Sequence, residues 1–281
     1  MPPARTRAML EEAGAGKETA VSSAKICCVA GAPCWVNLTA RDLKAATAFY
    51  GDLLGWKFEH APTQFGDYVR AVVHGTEVAG ISTGARDMEL SVAWTTFFGV
   101  ENADISAADI RDRGGTVAVG PLDFDTGRMA LCSDPGGASF GIWEGEKGVS
   151  TRLRRVGAPV WIELRTRDAF AAAMFYGEVF GWDKRDPEHY EVRWENDRVV
   201  LAVDGHTVAG IRSGGVEAAA DPRVRPRWHV YFGVADVDEA VQLTKELGGD
   251  ITGEPRDSAY GRVAGIRDPE GALLSIVSGY A

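Results

Sequence analysis

Two short stretches in the second half of the chain place ionisable side chains at alternate positions. Trp161-Ile-Glu-Leu-Arg165 puts Trp161, Glu163 and Arg165 on one side of an extended strand, and Trp228-His-Val-Tyr-Phe232 puts His229 and Tyr231 on one side of another. A carboxylate beside an imidazole in a dry cleft can be tuned to move protons near neutral pH, so Glu163 and His229 are the candidate catalytic acid–base pair. In the first half the same alternation groups Trp35, Asn37 and Thr39, and Thr95 with Phe97, while Trp143 lies further along the chain. Apolar walls with a few convergent polar groups suit a planar or polyoxygenated organic ligand. The candidate ligand-binding residues are therefore Trp35, Asn37, Thr95, Trp143, Trp161, Arg165 and Tyr231.

Each candidate also has a plainer structural use. Trp35 and Trp161 could fill a barrel interior, His229 could be a hydrogen-bonded core histidine, and Glu163 could pair with Arg165. Phe49, Tyr50, Phe175 and Tyr176 read as helix-to-sheet packing, Arg128 and Arg262 as structural arginines, and His74 and His206 as turn residues beside glycine. There is no GxSxG elbow, HExxH pair or glycine-rich phosphate loop, so those enzyme classes have no support.

The elements that must carry these residues occur twice. Residues 32–59 align without a gap with residues 158–185 at an offset of 126, with 13 of 28 positions identical. Residues 114–142 align with 248–276 at an offset of 134, with 12 of 29 identical. The chain reads as a mobile arm over 1–30, a module over 31–147, a short basic linker over 148–156 and a second module over 157–281. Within each module a strand leads into a helix twice. Asp42 and Asp168 are plausible N-caps, Gly55 and Gly181 plausible C-caps, and apolar residues recur at helical spacing between them. The second helices run near Asp104–Arg113 and Asp236–Leu247. Asp134-Pro-Gly-Gly and Asp268-Pro-Glu-Gly are turn signals between the last two strands of each module. The pattern is βαβββ, twice per module.

Composition narrows the function. The chain has 281 residues, 45% hydrophobic and 25% charged, and a net charge of −10. An acidic chain repels phosphate backbones, which argues against nucleic acid as a partner. No apolar run reaches the ~18 residues that span a bilayer. Four cysteines (Cys27, Cys28, Cys34 and Cys132) form no CxxC motif and read as free thiols in a reducing cytoplasm.

The phrases FYGDLLGW and FYGEVFGW, the GGTV and GGDI segments, the Gly-Arg strands, and DPGGASFGIWE and DPEGALLSIVS resemble the vicinal oxygen chelate superfamily. That group contains glyoxalase I, bleomycin-resistance proteins and extradiol dioxygenases, and the likeness is to tandem two-module members labelled glyoxalase-like or hydroxylase. The resemblance implies an α+β fold of two tandem modules, each curling two βαβββ units into a mixed sheet around an open cleft for a small organic ligand. It also implies that the modules pair within one chain, as a monomer or in a homodimer.

Metal-dependent members of that superfamily hold a divalent ion on the first, fifth and last strands of the cleft. The matching residues here are Trp35, Thr95 and Gly141 in the first module and Trp161, His229 and Ser275 in the second. One imidazole is too few ligands for a catalytic metal. A shift in register would bring in Glu163, or Glu144 beyond the last strand, and otherwise no cofactor is expected. Metal-independent lyase, isomerase, cyclase or hydroxylase-like chemistry on a natural product is the leading expectation. A non-catalytic drug-sequestering resistance protein and a metal-dependent glyoxalase or dioxygenase are the alternatives.

Overall fold

A computed structural model describes residues 29–61, 66–84, 91–145, 155–195, 197–214, 225–258 and 261–279. Most of the expected N-terminal arm, most of the linker, Cys27 and Cys28 lie outside them. Among the described residues the first module runs β1 (Pro33–Thr39), α1 (Leu43–Leu54), β2 (Lys57–His60), β3 (Tyr68–Val73), β4 (Thr76–Ser82), β5 (Ala93–Gly99), α2 (Ala103–Asp112), β6 (Thr116–Phe124), β7 (Gly127–Ser133) and β8 (Ser139–Gly145). The second runs β9 (Pro159–Thr166), α3 (Ala169–Phe180), β10 (Tyr190–Glu195), β11 (Arg198–Val203), β12 (His206–Ser213), β13 (Arg227–Gly233), α4 (Val237–Glu246), β14 (Asp250–Ser258), β15 (Gly261–Arg267) and β16 (Leu273–Ser278). No described helix is long and apolar enough to cross a membrane.

The caps explain where the first helix of each module begins and ends. The Asp42 carboxylate accepts from the Ala45 amide at 3.0 Å and the Asp168 carboxylate from the Ala171 amide at 2.9 Å, each satisfying a donor that the first helical turn leaves open. Gly55 and Gly181 close the helices at φ 69° and 63°, a left-handed conformation that costs glycine little.

Each module forms one open mixed sheet of eight strands, in the orders β2-β3-β4-β1-β5-β8-β7-β6 and β10-β11-β12-β9-β13-β16-β15-β14. The central strand β1 runs parallel to β4 and antiparallel to β5, and β9 repeats this with β12 and β13. Strand alternation then sorts the side chains. Val36, Leu38, Trp94, Phe98, Ile162, Leu164, Trp228 and Phe232 are buried on the faces that share one core with the helices. The opposite faces form the clefts.

That core is common to both modules. Phe98 stacks on Phe180 at 4.7 Å between centroids and meets Trp228 edge-on at 5.0 Å, while Phe232 lies 5.5 Å from Trp56 and 5.0 Å from Trp94. Tyr50 and Tyr176 are buried, and their hydroxyls reach across the modules. Tyr50 donates to Asp268 at 2.9 Å and accepts from Trp94 Nε1 at 3.0 Å; Tyr176 donates to Asp134 at 3.0 Å and accepts from Trp228 Nε1 at 2.9 Å. The Trp56 and Trp182 indoles donate to the carbonyls of Gly157 and Gly31, again each in the other half of the chain. The Asp-Pro turns are therefore docking points as well as turns. Tyr50→Phe is expected to lower stability by about 1–3 kcal/mol, because it strands a buried carboxylate oxygen and an indole N–H. Tyr176→Phe should cost a similar amount, and urea unfolding of the two variants measures both.

Candidate functional site

The second module gathers its ionisable side chains on the cleft face. Strand β9 presents Trp161, Glu163 and Arg165; strand β13 presents Arg227, His229 and Tyr231. In the antiparallel register Arg227 lies opposite Arg165, His229 opposite Glu163, and Tyr231 opposite Trp161. Strand β16 adds Ser275 beside Tyr231. A cavity of about 190 Å³ opens over this surface, lined by Arg165, Arg227, His229, Tyr231 and Ser275 together with Glu254 and Arg256 of β14. Glu163 and Trp161 do not line it. Glu163 lies beneath the guanidiniums, and the Trp161 ring covers Gly210 of β12, where a Cβ would come within 2.7 Å of it.

Glu163 is 1% exposed and holds the floor together. Its Oε1 lies 2.6 Å from Arg165 Nε, and its Oε2 accepts from Arg198 Nη1 at 2.9 Å. Arg165 also donates to the Tyr231 hydroxyl at 3.0 Å. Burial, and then the charge of Glu163, push the Tyr231 phenol above its usual range, so it stays protonated at neutral pH.

His229 is 9% exposed. Its Nε2 lies 2.9 Å from Ser275 Oγ, while its Nδ1 is buried with no hydrogen-bond partner among the described residues. Burial, then the nearby Arg227 and Arg165 charges, push the imidazole down to about 3. It is a neutral ring at physiological pH, with one nitrogen left to accept or donate. Glu163 and His229, expected as a pair, face each other across the strands, yet no hydrogen bond joins them. Each carboxylate oxygen is occupied by a guanidinium, and the imidazole turns to Ser275.

The first module brings Trp35, Asn37 and Thr95 to the matching face, but without ionisable groups at the matching positions. Register places Asn37 where the second module has Glu163, Thr39 where it has Arg165, Ala93 for Arg227, Thr95 for His229, Phe97 for Tyr231 and Gly141 for Ser275. The Phe97 ring lies directly on Gly141, and the Tyr68 hydroxyl lies over Gly80 beside Asn37, in space that side chains at those glycines would need. Asn37 donates to Ser82 at 3.1 Å. Trp143 is half-buried on the same face, and its Nε1 has no partner among the described residues. Aromatic rings of the module's own occupy much of this trough.

The sequence-based candidates missed Arg227, Glu254 and Arg256, which line the cavity, and Arg198, which pairs with Glu163 beneath it. Arg227 stands two places before His229, so the alternation that grouped His229 with Tyr231 extends to it. Arg198 lies on β11 and reaches Glu163 only through the packing of three strands, for which a single segment carries no signal.

Solved structures share this fold. A Mn(II)-bound glyoxalase from Novosphingobium aromaticivorans superposes with a TM-score of 0.57 at 19% identity, covering 90% of this chain and 83% of its own. The 2,3-dioxygenase LapB from Pseudomonas sp. KL28 gives 0.56 at 13% identity, covering 89% and 92%. A profile of the Glyoxalase/Bleomycin resistance protein/Dioxygenase superfamily matches residues 158–276, and one of the Bleomycin resistance protein-like N-terminal family matches residues 34–73. CFP32 of Mycobacterium tuberculosis, named as a glyoxylase, is 32% identical over 255 residues, covering 88% of this chain and 94% of its own. The chain belongs to the glyoxalase/bleomycin resistance/dioxygenase superfamily. A further superfamily relative is DnrV of Streptomyces peucetius, named an anthracycline biosynthesis protein, at 33% identity over 265 residues, covering 88% of this chain and 93% of its own.

The metal of the superfamily's metal-dependent members does not fit the donors present. The three matching positions of the second cleft offer an indole turned onto Gly210, one imidazole and one hydroxyl. The alternative ligand, Glu163, is already held by two cations. Among the described residues no group of three or more His, Cys, Asp or Glu side chains is placed to hold an ion. Guanidiniums in place of carboxylates would also repel one.

Proposed function

We propose that the second cleft binds a small planar or polyoxygenated organic molecule and works on it without a metal, with His229 as the proton acceptor. The observation that carries this reading is a neutral imidazole that lines a cavity and holds a buried Nδ1 with no partner among the described residues. With Nε2–H donating to Ser275, Nδ1 can take a proton from a ligand C–H or O–H lying next to a carbonyl. Proton removal of this kind serves lyase, isomerase, cyclase or hydroxylase-like chemistry. Glu163 acts as a positioning residue that holds Arg165 and Arg198, and Tyr231 supplies a phenolic donor. The names of DnrV and of DauV from Streptomyces sp. strain C5 support a natural-product ligand, since an anthracycline is a planar, polyoxygenated molecule. A cavity of about 190 Å³ admits one ring, or one end of a larger molecule, since whole drug-sized ligands fill roughly 300–1,000 Å³. The self-filled first trough is read as support for the shared core. The same reading places the protein in the cytoplasm, as a monomer or homodimer, in keeping with the buried thiol of Cys132.

His229→Gln decides the chemistry. With a polyketide-derived candidate and product detection by mass spectrometry, it is expected to lower turnover by about 10²–10⁴-fold while leaving ligand affinity within a few-fold. Unchanged turnover would remove His229 from the role. Ligand recovered unaltered from the wild-type protein would favour the sequestering alternative. Elemental analysis should find no stoichiometric Zn, Ni, Fe or Mn; a stoichiometric ion would favour the metal-dependent one.

A further inference from the structure

We infer that the second cleft selects an acid, a ligand whose carboxylate or other anionic oxygen is gripped by Arg227 while its neighbouring oxygen meets His229. This rests on the cleft being the ligand site and adds the charge of what enters it. Two guanidiniums line the cavity side by side, those of Arg165 and Arg227, and Arg165 is already paired with Glu163. His229 and Tyr231 are uncharged at neutral pH, and Glu254 and Arg256, which also line the cavity, carry one charge of each sign.

The surplus cation is Arg227. Its one hydrogen bond among the described residues runs to the Arg225 carbonyl at 3.4 Å, and its Nε is buried without a partner. It also stands directly opposite Arg165 across the antiparallel pair. Like charges so placed repel, and a half-buried cation without a counter-ion is costly. The fold does not demand this arrangement, since the first module puts Ala93 and Thr39 at the same two positions. A planar guanidinium matches a carboxylate with two parallel N–H donors, which would relieve both costs at once. The chain as a whole is acidic, at −10, so attraction for an anion must be local to this cleft. Arg227 and His229, two residues apart on one strand, then form a paired grip for adjacent oxygens: a donor for the charged one and an acceptor for a hydroxyl.

Salicylate presents that pair of oxygens on a single ring, and salicylamide is its uncharged counterpart. By titration calorimetry with the full chain, salicylate is expected to bind at least about tenfold more tightly than salicylamide. Arg227→Gln should abolish that preference, bringing salicylate down to the affinity of salicylamide. The variant should be no less stable than the wild-type protein, because it removes the repulsion with Arg165. Equal affinity for the two compounds overturns the preference for an acid and leaves the reading of His229 standing, since turnover tests that separately. Unchanged salicylate affinity in Arg227→Gln, or no binding of either compound at millimolar concentration, overturns it as well.

Discussion

Glu163→Ala is expected to destabilise the protein by about 3–5 kcal/mol, a large share of the roughly 5–15 kcal/mol of an ordinary domain. The reason is the imbalance it would create. Glu163 is 1% exposed and is the shared counter-ion of Arg165 and Arg198. Without it, Arg165 would face Arg227 with no carboxylate between them, and Arg198 would lose the ion pair it makes at 2.9 Å. Their partial exposure lets water offset some of the loss, which keeps the figure in the range for broken buried pairs. Glu163→Gln retains the shape and one acceptor, and should fall between the wild-type protein and the alanine variant. The first module supplies the control. Asn37 occupies the equivalent register position with a neutral partner, and Asn37→Ala should cost about 1 kcal/mol. Urea unfolding of the three variants checks the ordering; equal losses at Glu163 and Asn37 would show that the ion network contributes nothing beyond packing.

Much of this architecture was legible because the relevant signals are local. Asp42 and Gly55 bracket α1 through hydrogen bonds and backbone angles that involve only near neighbours, and Asp168 and Gly181 do the same for α3. Alternation sorted Trp35, Asn37 and Thr39, and Glu163 and Arg165, onto the cleft faces because each sheet buries its other face, and a one-residue slip would invert every side chain. What stayed hidden depends on which strands become neighbours. Arg198 joins Glu163 only because β12 lies between β11 and β9, and because Gly210 carries no side chain between them. The pairing of Tyr50 with Asp268 was unreadable for the same reason. Both residues belong to repeated phrases, and nothing in either phrase says that the helix of one module docks on the turn of the other. The ionic character of the second cleft was half-visible: Glu163, Arg165 and His229 stood out, whereas Arg227, opposite Arg165 across the strands, did not.

The burial of a neutral imidazole should also make the protein sensitive to acid. In the folded chain His229 takes up a proton only at about 3, whereas an exposed histidine does so near 6.5. Between those values the unfolded chain binds a proton that the folded chain refuses, so unfolding gains as pH falls. The stability lost is about 1.4 kcal/mol for each pH unit below the unfolded value, and the curve is flat above it. Arg227 and Arg165 face the ring and sharpen the effect, because a protonated imidazole would add a third positive charge. Burial raises the Asp134 and Asp268 carboxyls, so these groups bind protons more readily in the folded state and act in the opposite direction at the acid end. The raw acid profile therefore mixes two signs, and the difference between the wild-type protein and His229→Gln isolates the imidazole. Urea midpoints taken across the window should show the wild-type protein weakening relative to the variant as pH falls from 6.5, by an amount that grows at each step. Parallel curves would mean that His229 is hydrated in the folded protein, and would remove the dry, neutral base on which the proposed chemistry depends.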